Sequence, residues 1–198
     1  MMARGCKLTT NRDFTNGMAT LLLQQIIKPT IMKKIGIFYG STTGTTEAIA
    51  RAIASKLDVG SNDVHDAAKL TAELAGQYDM LILGSSTWGD GELQDDWHDA
   101  VKVLKGMNLA GKCIALFGCG DSASYSDTFC DAMGILHEEL QGTGCQFCGA
   151  VDADGYTFDS SKAVADGQFV GLALDEANES DLTDGRINAW IKTLCNQN

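Results

Sequence analysis

A short segment rich in hydroxyl side chains lies between an apolar run and a helical pattern in FYGSTTGTTEAIARAIASKL, residues 38–57. A strand, a turn and a helix in this order direct free N–H groups and the positive end of the helix dipole at one point, which favours phosphate binding. The segment contains no lysine. Its hydroxyls belong to Ser41, Thr42, Thr43, Thr45 and Thr46.

The missing lysine decides between kinds of phosphate ligand. A triphosphate loop of the form G-x-x-x-x-G-K-[ST] needs that lysine, and a dinucleotide loop needs G-x-G-x-x-G. The segment has neither pattern, so a terminal monophosphate fits better. From this segment alone, an ordinary strand-to-helix turn in which the threonines only cap the helix is an equal alternative.

Two aromatic residues lie in other loops and can contact a planar ligand. Trp88 follows a buried strand and precedes GDGEL, which is too polar and glycine-rich to enclose a core tryptophan. Tyr125 follows a later strand, and the two rings can stack on the opposite faces of one planar group. Trp97 and Trp190 lie at helical spacing, which predicts packing inside the protein.

The apolar pattern predicts alternating strands and helices. Apolar runs occur at residues 33–40, 62–68, 79–86 and 112–119, and a last run is divided between residues 145–151 and 169–175. Helices are predicted at residues 45–57, 95–104, 127–141 and 181–194, with a weaker one at 70–75. This order predicts a doubly wound parallel sheet, in which the loops after the first, third and fourth strands meet at a ligand site.

Composition predicts one acidic domain. The chain has 198 residues and a formal net charge of -11, which argues against nucleic acid or anionic membranes as partners and favours basic proteins. Residues 1–32 carry four Lys or Arg and one acid, and we expect a disordered extension or a misassigned start there, ahead of a domain at 33–198. No run approaches the ~20 apolar residues of a membrane span, and a cytoplasmic location is expected.

The cysteines and histidines suggest no metal site. Seven cysteines are scattered without the density of a disulfide framework, so we expect reduced thiols. Cys145 and Cys148 form a lone C-x-x-C, and structural thiols are favoured there over a redox pair or half of a zinc site. His65, His98 and His137 are isolated and are expected at the surface or in packing.

Four ordered segments carry a specific resemblance to a known family. They are GIFYGSTTGTTEAIA, LILGSSTWGDGELQDDW, ALFGCGDSASYSDTFCDAMGIL and the segment from DGYTF to INAWI. Together they cover nearly all of residues 33–194 and resemble a flavodoxin, with the last segment similar to the extra loop of the long-chain subgroup. The resemblance implies a five-stranded sheet of order 2-1-3-4-5, a loop inserted in the fifth strand, and noncovalently bound FMN.

The resemblance also implies which residues contact FMN. The hydroxyl-rich loop would hold the 5'-phosphate, Trp88 and Tyr125 would flank the isoalloxazine, and the Gly89–Asp90 peptide would turn its carbonyl toward flavin N5 on reduction. Cys119 would be a neutral or an oxidation-sensitive neighbour of the ring, and the neutral state is favoured because nothing nearby in the sequence is basic enough to lower its pKa. The whole expected set is Ser41, Thr42, Thr43, Gly44, Thr45, Thr46, Ser86, Thr87, Trp88, Gly89, Asp90, Gly91, Gly118, Cys119, Gly120, Asp121 and Tyr125.

A flavodoxin-like protein is expected to be a monomeric, low-potential electron carrier without catalytic residues of its own. Implied partners are basic redox proteins, such as a ferredoxin/flavodoxin-NADP reductase, and acceptor enzymes. An acidic face would attract them, formed by Asp90, Glu92, Asp95, Asp96, Asp121, Asp175, Glu176, Glu179, Asp181 and Asp184. The alternative is an FMN-dependent NAD(P)H oxidoreductase of the same fold. A signalling receiver is set aside, because FYGS and LILGSS lack its acidic residues.

Overall fold

A computed structural model describes residues 33–196 of the chain. Its strands are β1 (Ile35–Gly40), β2 (Val64–Asp66), β3 (Met80–Trp88), β4 (Glu92–Leu93), β5 (Cys113–Cys119), β6 (Gln146–Cys148), β7 (Val151–Asp152), β8 (Val164–Ala165), β9 (Gln168–Phe169) and β10 (Leu172–Leu174). Its helices are α1 (Thr45–Lys56), α2 (Ala72–Gly76), α3 (Trp97–Lys105), α4 (Asp131–Leu140) and α5 (Thr183–Asn196). The prediction for residues 1–32 lies outside this part of the chain.

The central sheet is parallel and has the order β2, β1, β3, β5, followed by a fifth strand in two pieces. β6 pairs with the first half of β5 and β10 pairs with its second half, where Leu174 lies opposite Cys119. This arrangement confirms the predicted order and the insertion in the fifth strand. The inserted residues 149–171 form a small separate sheet of β7, β9 and β8. The carboxyl ends of β1, β3, β5 and β10 therefore lie side by side.

Apolar residues cover both faces of the sheet. Phe38, Leu81 and Leu83 belong to a buried cluster with residues of α3 and α4, whereas Ile37 and Ile82 belong to one with residues of α1 and α5. Strands buried on both faces explain why the apolar runs in the sequence are continuous instead of alternating. The core thus holds each strand end rigidly beneath the loop that follows it.

Four of the five predicted helices begin two to four residues later than expected, and two of these lie beside the expected ligand site. The helix predicted at 127–141 begins at Asp131, because Cys130 has φ 58° and lies in the left-handed region. The helix predicted at 95–104 begins at Trp97, since Gln94 and Asp96 instead make a side-chain network in which Asp96 N–H donates to Gln94 Oε1 at 3.0 Å. Both differences lie beside the expected ligand site, where irregular backbone replaces a first helical turn.

The expectation that the cysteines are all reduced thiols is wrong for one pair. Cys113 and Cys148 form a disulfide between β5 and β6. Ala115 lies opposite Cys148 in the register, and Cys113 is on the same face of β5 as Ala115 because side chains alternate along a strand. Cys145 remains a free thiol and donates to Leu140 O at 3.7 Å. Cys145 and Cys148 are therefore not paired with each other, despite their C-x-x-C spacing.

None of the helices within residues 33–196 is long and apolar enough to cross a membrane. The same part of the chain contains no cluster of three or more His, Cys, Asp or Glu that can hold a metal ion.

Candidate functional site

The loop after β1 prepares the beginning of α1 for an anion. Ser41 Oγ accepts a hydrogen bond from Gly44 N–H at 3.1 Å, which closes the loop. Gly44 has φ 91° and is the N-cap of α1, and no side chain caps the helix there. The first N–H groups of α1 consequently have no intrahelical partner, and an anion is the partner that the helix dipole favours.

Thr46 is fully buried in the first turn of the same helix. Its Oγ1 makes no hydrogen bond of acceptable geometry among the described residues, although it lies near enough to the Cys119 thiol to affect that thiol's pKa. A thiol is only a weak hydrogen-bond partner, so the Thr46 hydroxyl is not satisfied by Cys119. A buried hydroxyl without a good partner costs free energy, and a phosphate oxygen at the helix end can remove this cost.

β3 and β4 form a hairpin whose turn carries Trp88. Gly91 N–H donates to Trp88 O at 3.1 Å, and Trp88 Nε1–H donates to Ser86 Oγ at 2.8 Å. Gly89 and Gly91 have φ values of 49° and 91°, which residues with side chains rarely adopt. The turn holds the Trp88 ring at the surface, where 40% of the side chain is exposed.

The loop after β5 carries Tyr125. Gly120 N–H donates to Leu174 O at 3.0 Å and Tyr125 N–H donates to Asp121 O at 3.0 Å. The Asp121 carboxylate accepts from Ser124 N–H at 2.9 Å, and hydrogen bonds from Ser124 and Asn178 lower the pKa of Asp121. The loop is therefore closed on itself, yet 54% of the Tyr125 side chain remains exposed.

These three loops surround one cavity of about 510 Å³, a volume in the range of small-molecule sites. Ten of the expected ligand residues line it: Thr43, Thr45, Ser86, Thr87, Trp88, Gly89, Cys119, Gly120, Asp121 and Tyr125. None of the described residues that line it is Lys or Arg. The cavity thus has a hydroxyl-rich end beside α1 and an aromatic rim at Trp88 and Tyr125.

The other expected residues lie behind the cavity wall or beside it. Ser41 and Gly44 shape the loop, and Thr46 is buried beneath it. Thr42 faces another depression and its Oγ1 accepts from Gln94 Nε2 at 3.4 Å. Asp90, Gly91 and Gly118 belong to the hairpin turn and to β5, and are not among the lining residues.

Four lining residues are absent from the expected set, namely Thr128, Phe129, Glu176 and Ala177. Thr128 and Phe129 were assigned to a helix, but they lie in irregular backbone before α4. Glu176 and Ala177 follow β10, and of these two only Glu176 belongs to the predicted acidic face. The rule that strand ends meet at one edge, applied to the fifth strand as well, would have found the second pair.

A second depression of about 660 Å³ lies on the other side of Trp88 and Gly89. It is lined by Glu92, Asp95 and Glu139 together with His98, Leu93 and Ile135. It is not lined by the first turn of α1 or by Tyr125. The smaller cavity is therefore the candidate site, and this acidic depression borders it.

The side chains of Cys119, Trp97, Trp190 and His65 are neutral, buried or distant from the cavity. Burial raises the pKa of the Cys119 thiol to about 12, so it is neutral at physiological pH, in agreement with the prediction. Trp97 is buried and donates from Nε1 to Gly84 O at 2.9 Å, and Trp190 donates to Gly149 O at 2.7 Å. His65 contacts Tyr78 OH at 2.8 Å, away from the cavity.

Comparisons with known proteins agree with this geometry. The sequence profile of the family described as Flavodoxin matches residues 37–190. A flavodoxin from Synechococcus elongatus is 47% identical over 164 residues, covering 82% of this chain and 96% of the relative. Flavodoxin 1 of Escherichia coli K12 is 44% identical over 160 residues, covering 80% of this chain and 91% of that protein.

A solved structure shows the same architecture. The crystal structure of Fusobacterium nucleatum flavodoxin bound to flavin mononucleotide aligns with a TM-score of 0.76 and 31% sequence identity, over 84% of this chain and 99% of that one. The profile match at residues 37–190 includes the three loops around the cavity, and each of the two relatives aligns with at least 80% of the chain. The chain belongs to the flavodoxin family.

Proposed function

We propose that this protein carries electrons between redox partners on noncovalently bound FMN, as a flavodoxin of the long-chain subgroup. The supporting observation is the cavity itself, which joins an uncapped helix N-terminus and free hydroxyls at one end to two exposed aromatic rings at the other. FMN has a single terminal phosphate and a planar ring system, so its two ends match these two environments. The insertion between β6 and β10 supports the long-chain assignment.

The residues at the phosphate end of the cavity bind the phosphate and orient the ligand. N–H groups of the first turn of α1 and the hydroxyls of Thr43, Thr45 and Thr46 would donate to the phosphate, while Ser41 holds the loop closed. Because none of the lining residues within 33–196 is Lys or Arg, this part of the chain would hold the phosphate by dipoles and hydrogen bonds. The described lining therefore supplies no cation that would favour the reduced, negatively charged state of the flavin.

The residues at the ring end set the environment of electron transfer. FMN, when bound, supplies one- and two-electron redox chemistry. Trp88 and Tyr125 exclude water from the ring faces, and Asp90, Glu92 and Asp95 add exposed negative charge beside the same turn. Desolvation and like charge both disfavour adding negative charge to the ring, so the second electron has a low potential.

The partners are basic redox proteins, such as a ferredoxin/flavodoxin-NADP reductase, and acceptor enzymes, which meet the protein as a monomer. The exposed acids Asp90, Glu92 and Asp95 support this attraction. Asp175 is wrongly included in the predicted acidic face, because it is completely buried. Glu179 and Asp184 are paired with Arg186 and Lys56, which reduces their contribution. The cytoplasmic location stays a prediction.

A reduction assay with NADPH tests the carrier function against the oxidoreductase alternative. The FMN-loaded protein alone is expected to keep its oxidised visible spectrum in NADPH, since Tyr125 at the rim covers the ring face that a nicotinamide needs. Adding a catalytic amount of a basic flavodoxin reductase should bleach the flavin, with a rate that falls as salt rises. Bleaching by NADPH without a reductase would favour the enzyme.

Gly89→Val is expected to narrow the gap between the first and second one-electron midpoint potentials. Gly89 has φ 49°, and a Cβ there would lie 3.2 Å from Glu92 Oε2, so a β-branched residue resists the turn geometry that presents the 89–90 peptide to the ring. A strain of about 1–2 kcal/mol corresponds to about 40–80 mV for one electron. Spectroelectrochemical titration measures both potentials.

Gly155→Val is the matched control for this change. Gly155 has φ 89° with nothing within 4 Å of an added Cβ, and it lies in the insertion, away from the cavity. Because of its positive φ, this variant should have a lower free energy of unfolding than the wild type. Both midpoint potentials should be unchanged. If Gly89→Val keeps the wild-type gap, the 89–90 peptide does not tune the flavin.

A further inference from the structure

Asp175 is a fully buried carboxylate next to the candidate site. It follows β10 directly, and none of the ion pairs within residues 33–196 includes it. Burial by itself raises the pKa of Asp175, but hydrogen bonds from Ser122 and Asn178 outweigh this effect and the pKa is lowered. The group is therefore an ionised carboxylate stabilised by hydrogen-bond donors alone.

The hydrogen-bond donors to Asp175 belong to two different loops. From the loop after β5, Ser122 N–H and Ser122 Oγ–H donate to Asp175 Oδ2 at 3.0 and 2.6 Å. From the turn after β10, Ala177 N–H and Asn178 N–H donate to Oδ1 at 3.1 and 3.0 Å. Asp175 thus accepts bonds from two segments that are distant in sequence and joins them.

Asn178 extends the connection to the second carboxylate of the loop. Its Nδ2 lies 2.9 Å from Asp175 Oδ2 and 2.9 Å from Asp121 Oδ1, so one amide donates to both acids. Asp121 in turn accepts from Ala123 N–H and Ser124 N–H at 3.1 and 2.9 Å. The segment between β5 and Tyr125 is therefore attached to the fifth strand at Ser122 and at Asp121.

The attached segment ends at the aromatic rim. Tyr125 N–H donates to Asp121 O at 3.0 Å, so the position of Asp121 fixes the backbone from which the Tyr125 ring projects. More than half of that side chain is exposed, so its orientation over the cavity depends on the backbone of the loop. On one side of Tyr125 the loop is held by the buried carboxylate through Ser122, and on the other side Ser126 O accepts from Asp159 N–H at 2.8 Å.

We propose that Asp175 is a positioning residue, which holds the loop of residues 120–125 so that Tyr125 covers the flavin. The proposal rests on FMN as the ligand of the cavity. Asp175 is not among the residues that line the cavity, and it acts through Ser122, Asn178 and Asp121. Its role differs from that of the exposed acids, since it organises one wall of the site instead of presenting charge to partners.

Asp175→Asn is the direct test, because it keeps the size of the side chain and removes one acceptor oxygen. The amide nitrogen of asparagine then faces N–H donors on one side, either that of Ser122 or those of Ala177 and Asn178. The loop consequently loses its fixed position. FMN and riboflavin are both expected to bind about tenfold more weakly. Fluorescence titration of the apoprotein measures both dissociation constants, and visible circular dichroism of the bound flavin reports the altered ring stacking.

The decisive measurement is a comparison of two backgrounds. If Asp175 acts through Tyr125, the effect of Asp175→Asn should shrink from about tenfold to under about threefold when Tyr125 is already alanine, because the two changes affect one interaction. In the Trp88→Ala background the loss should remain about tenfold, since Trp88 lies on the other loop. An equal loss in both backgrounds would overturn the proposal.

Two further variants separate this role from folding and from charge. Asn178→Ala keeps the buried acid but removes the link to Asp121, and should weaken flavin binding by about threefold or more. Asp99→Asn removes an exposed acid that is paired with Lys102 on α3, and should leave flavin binding unchanged. Wild-type affinities for both Asp175→Asn and Asn178→Ala would refute the inference, whereas a wild-type protein that does not bind FMN would refute the proposed function.

Discussion

FMN binding is expected to weaken by about 10²- to 10⁴-fold when Thr43 and Thr46 are both replaced by valine, whereas riboflavin binding changes by less than about twofold. Hydrogen bonds to a charged group contribute about 1.5–3 kcal/mol each, and none of the described lining residues is a cation that could compensate for their loss. Valine keeps the β-branched shape of threonine, so the wall of the cavity keeps its form. Riboflavin lacks the phosphate and does not use these donors.

The stability of the apoprotein provides a second observation for the same variant. Thr46 Oγ1 is buried without a hydrogen bond of acceptable geometry, so replacing this hydroxyl with a methyl group removes an unsatisfied polar atom. Thermal unfolding of the ligand-free variant should therefore occur at or above the wild-type temperature. Loss of FMN affinity then cannot be attributed to a damaged fold.

Isothermal titration of the apoprotein with FMN and with riboflavin measures the discrimination directly. Thr193→Val is the matched control, because Thr193 lies on α5 and donates to Trp190 O, away from the cavity. It should leave the ratio of the two affinities unchanged. A similar loss for both ligands in the Thr43→Val, Thr46→Val protein would place the phosphate elsewhere.

The central fold could be predicted from sequence because its signals are local and consistent. Continuous apolar runs such as LILG in β3 are typical of strands buried on both faces, and a parallel sheet brings their carboxyl ends to one edge. The divided fifth strand was visible as two apolar runs, and the structure pairs the two pieces with the two halves of β5. The positions of the strand ends and the composition of the loops were enough to predict that Trp88 and Tyr125 line one cavity.

The parts that sequence did not reveal depend on contacts between distant segments. Asp175 is one of four acids in LDEANESD, and only its burial and its contacts with Ser122 and Asn178 distinguish it from the other three. Cys113 and Cys148 meet through strand register, which spacing alone does not give. The start of α4 depends on the left-handed backbone of Cys130, where side-chain pattern predicted a continuous helix.

The aromatic rim should contribute equally to the binding free energies of FMN and of riboflavin, whereas the hydroxyl-rich end of the cavity should contribute only to that of FMN. Trp88→Ala with Tyr125→Ala is expected to weaken binding of both ligands by about 30- to 10⁴-fold, because each stacked ring contributes about 1–3 kcal/mol. Both residues lie at the surface of the ligand-free protein, with 40% and 54% exposure, so its free energy of unfolding should change by less than about 1 kcal/mol.

The ratio of the FMN and riboflavin affinities is the informative quantity for this pair. It should stay at its wild-type value in the double alanine variant, since the phosphate contacts are intact, and it should collapse in the valine variant of Thr43 and Thr46. Trp88→Phe with Tyr125→Phe restores the ring faces and should recover most of the affinity, whereas Leu182→Ala, an equally exposed apolar residue outside the cavity, should have no effect. If the alanine pair changed the ratio, the two ends of the cavity would not bind the ligand independently, and the division of the site into a phosphate end and a ring end would be wrong.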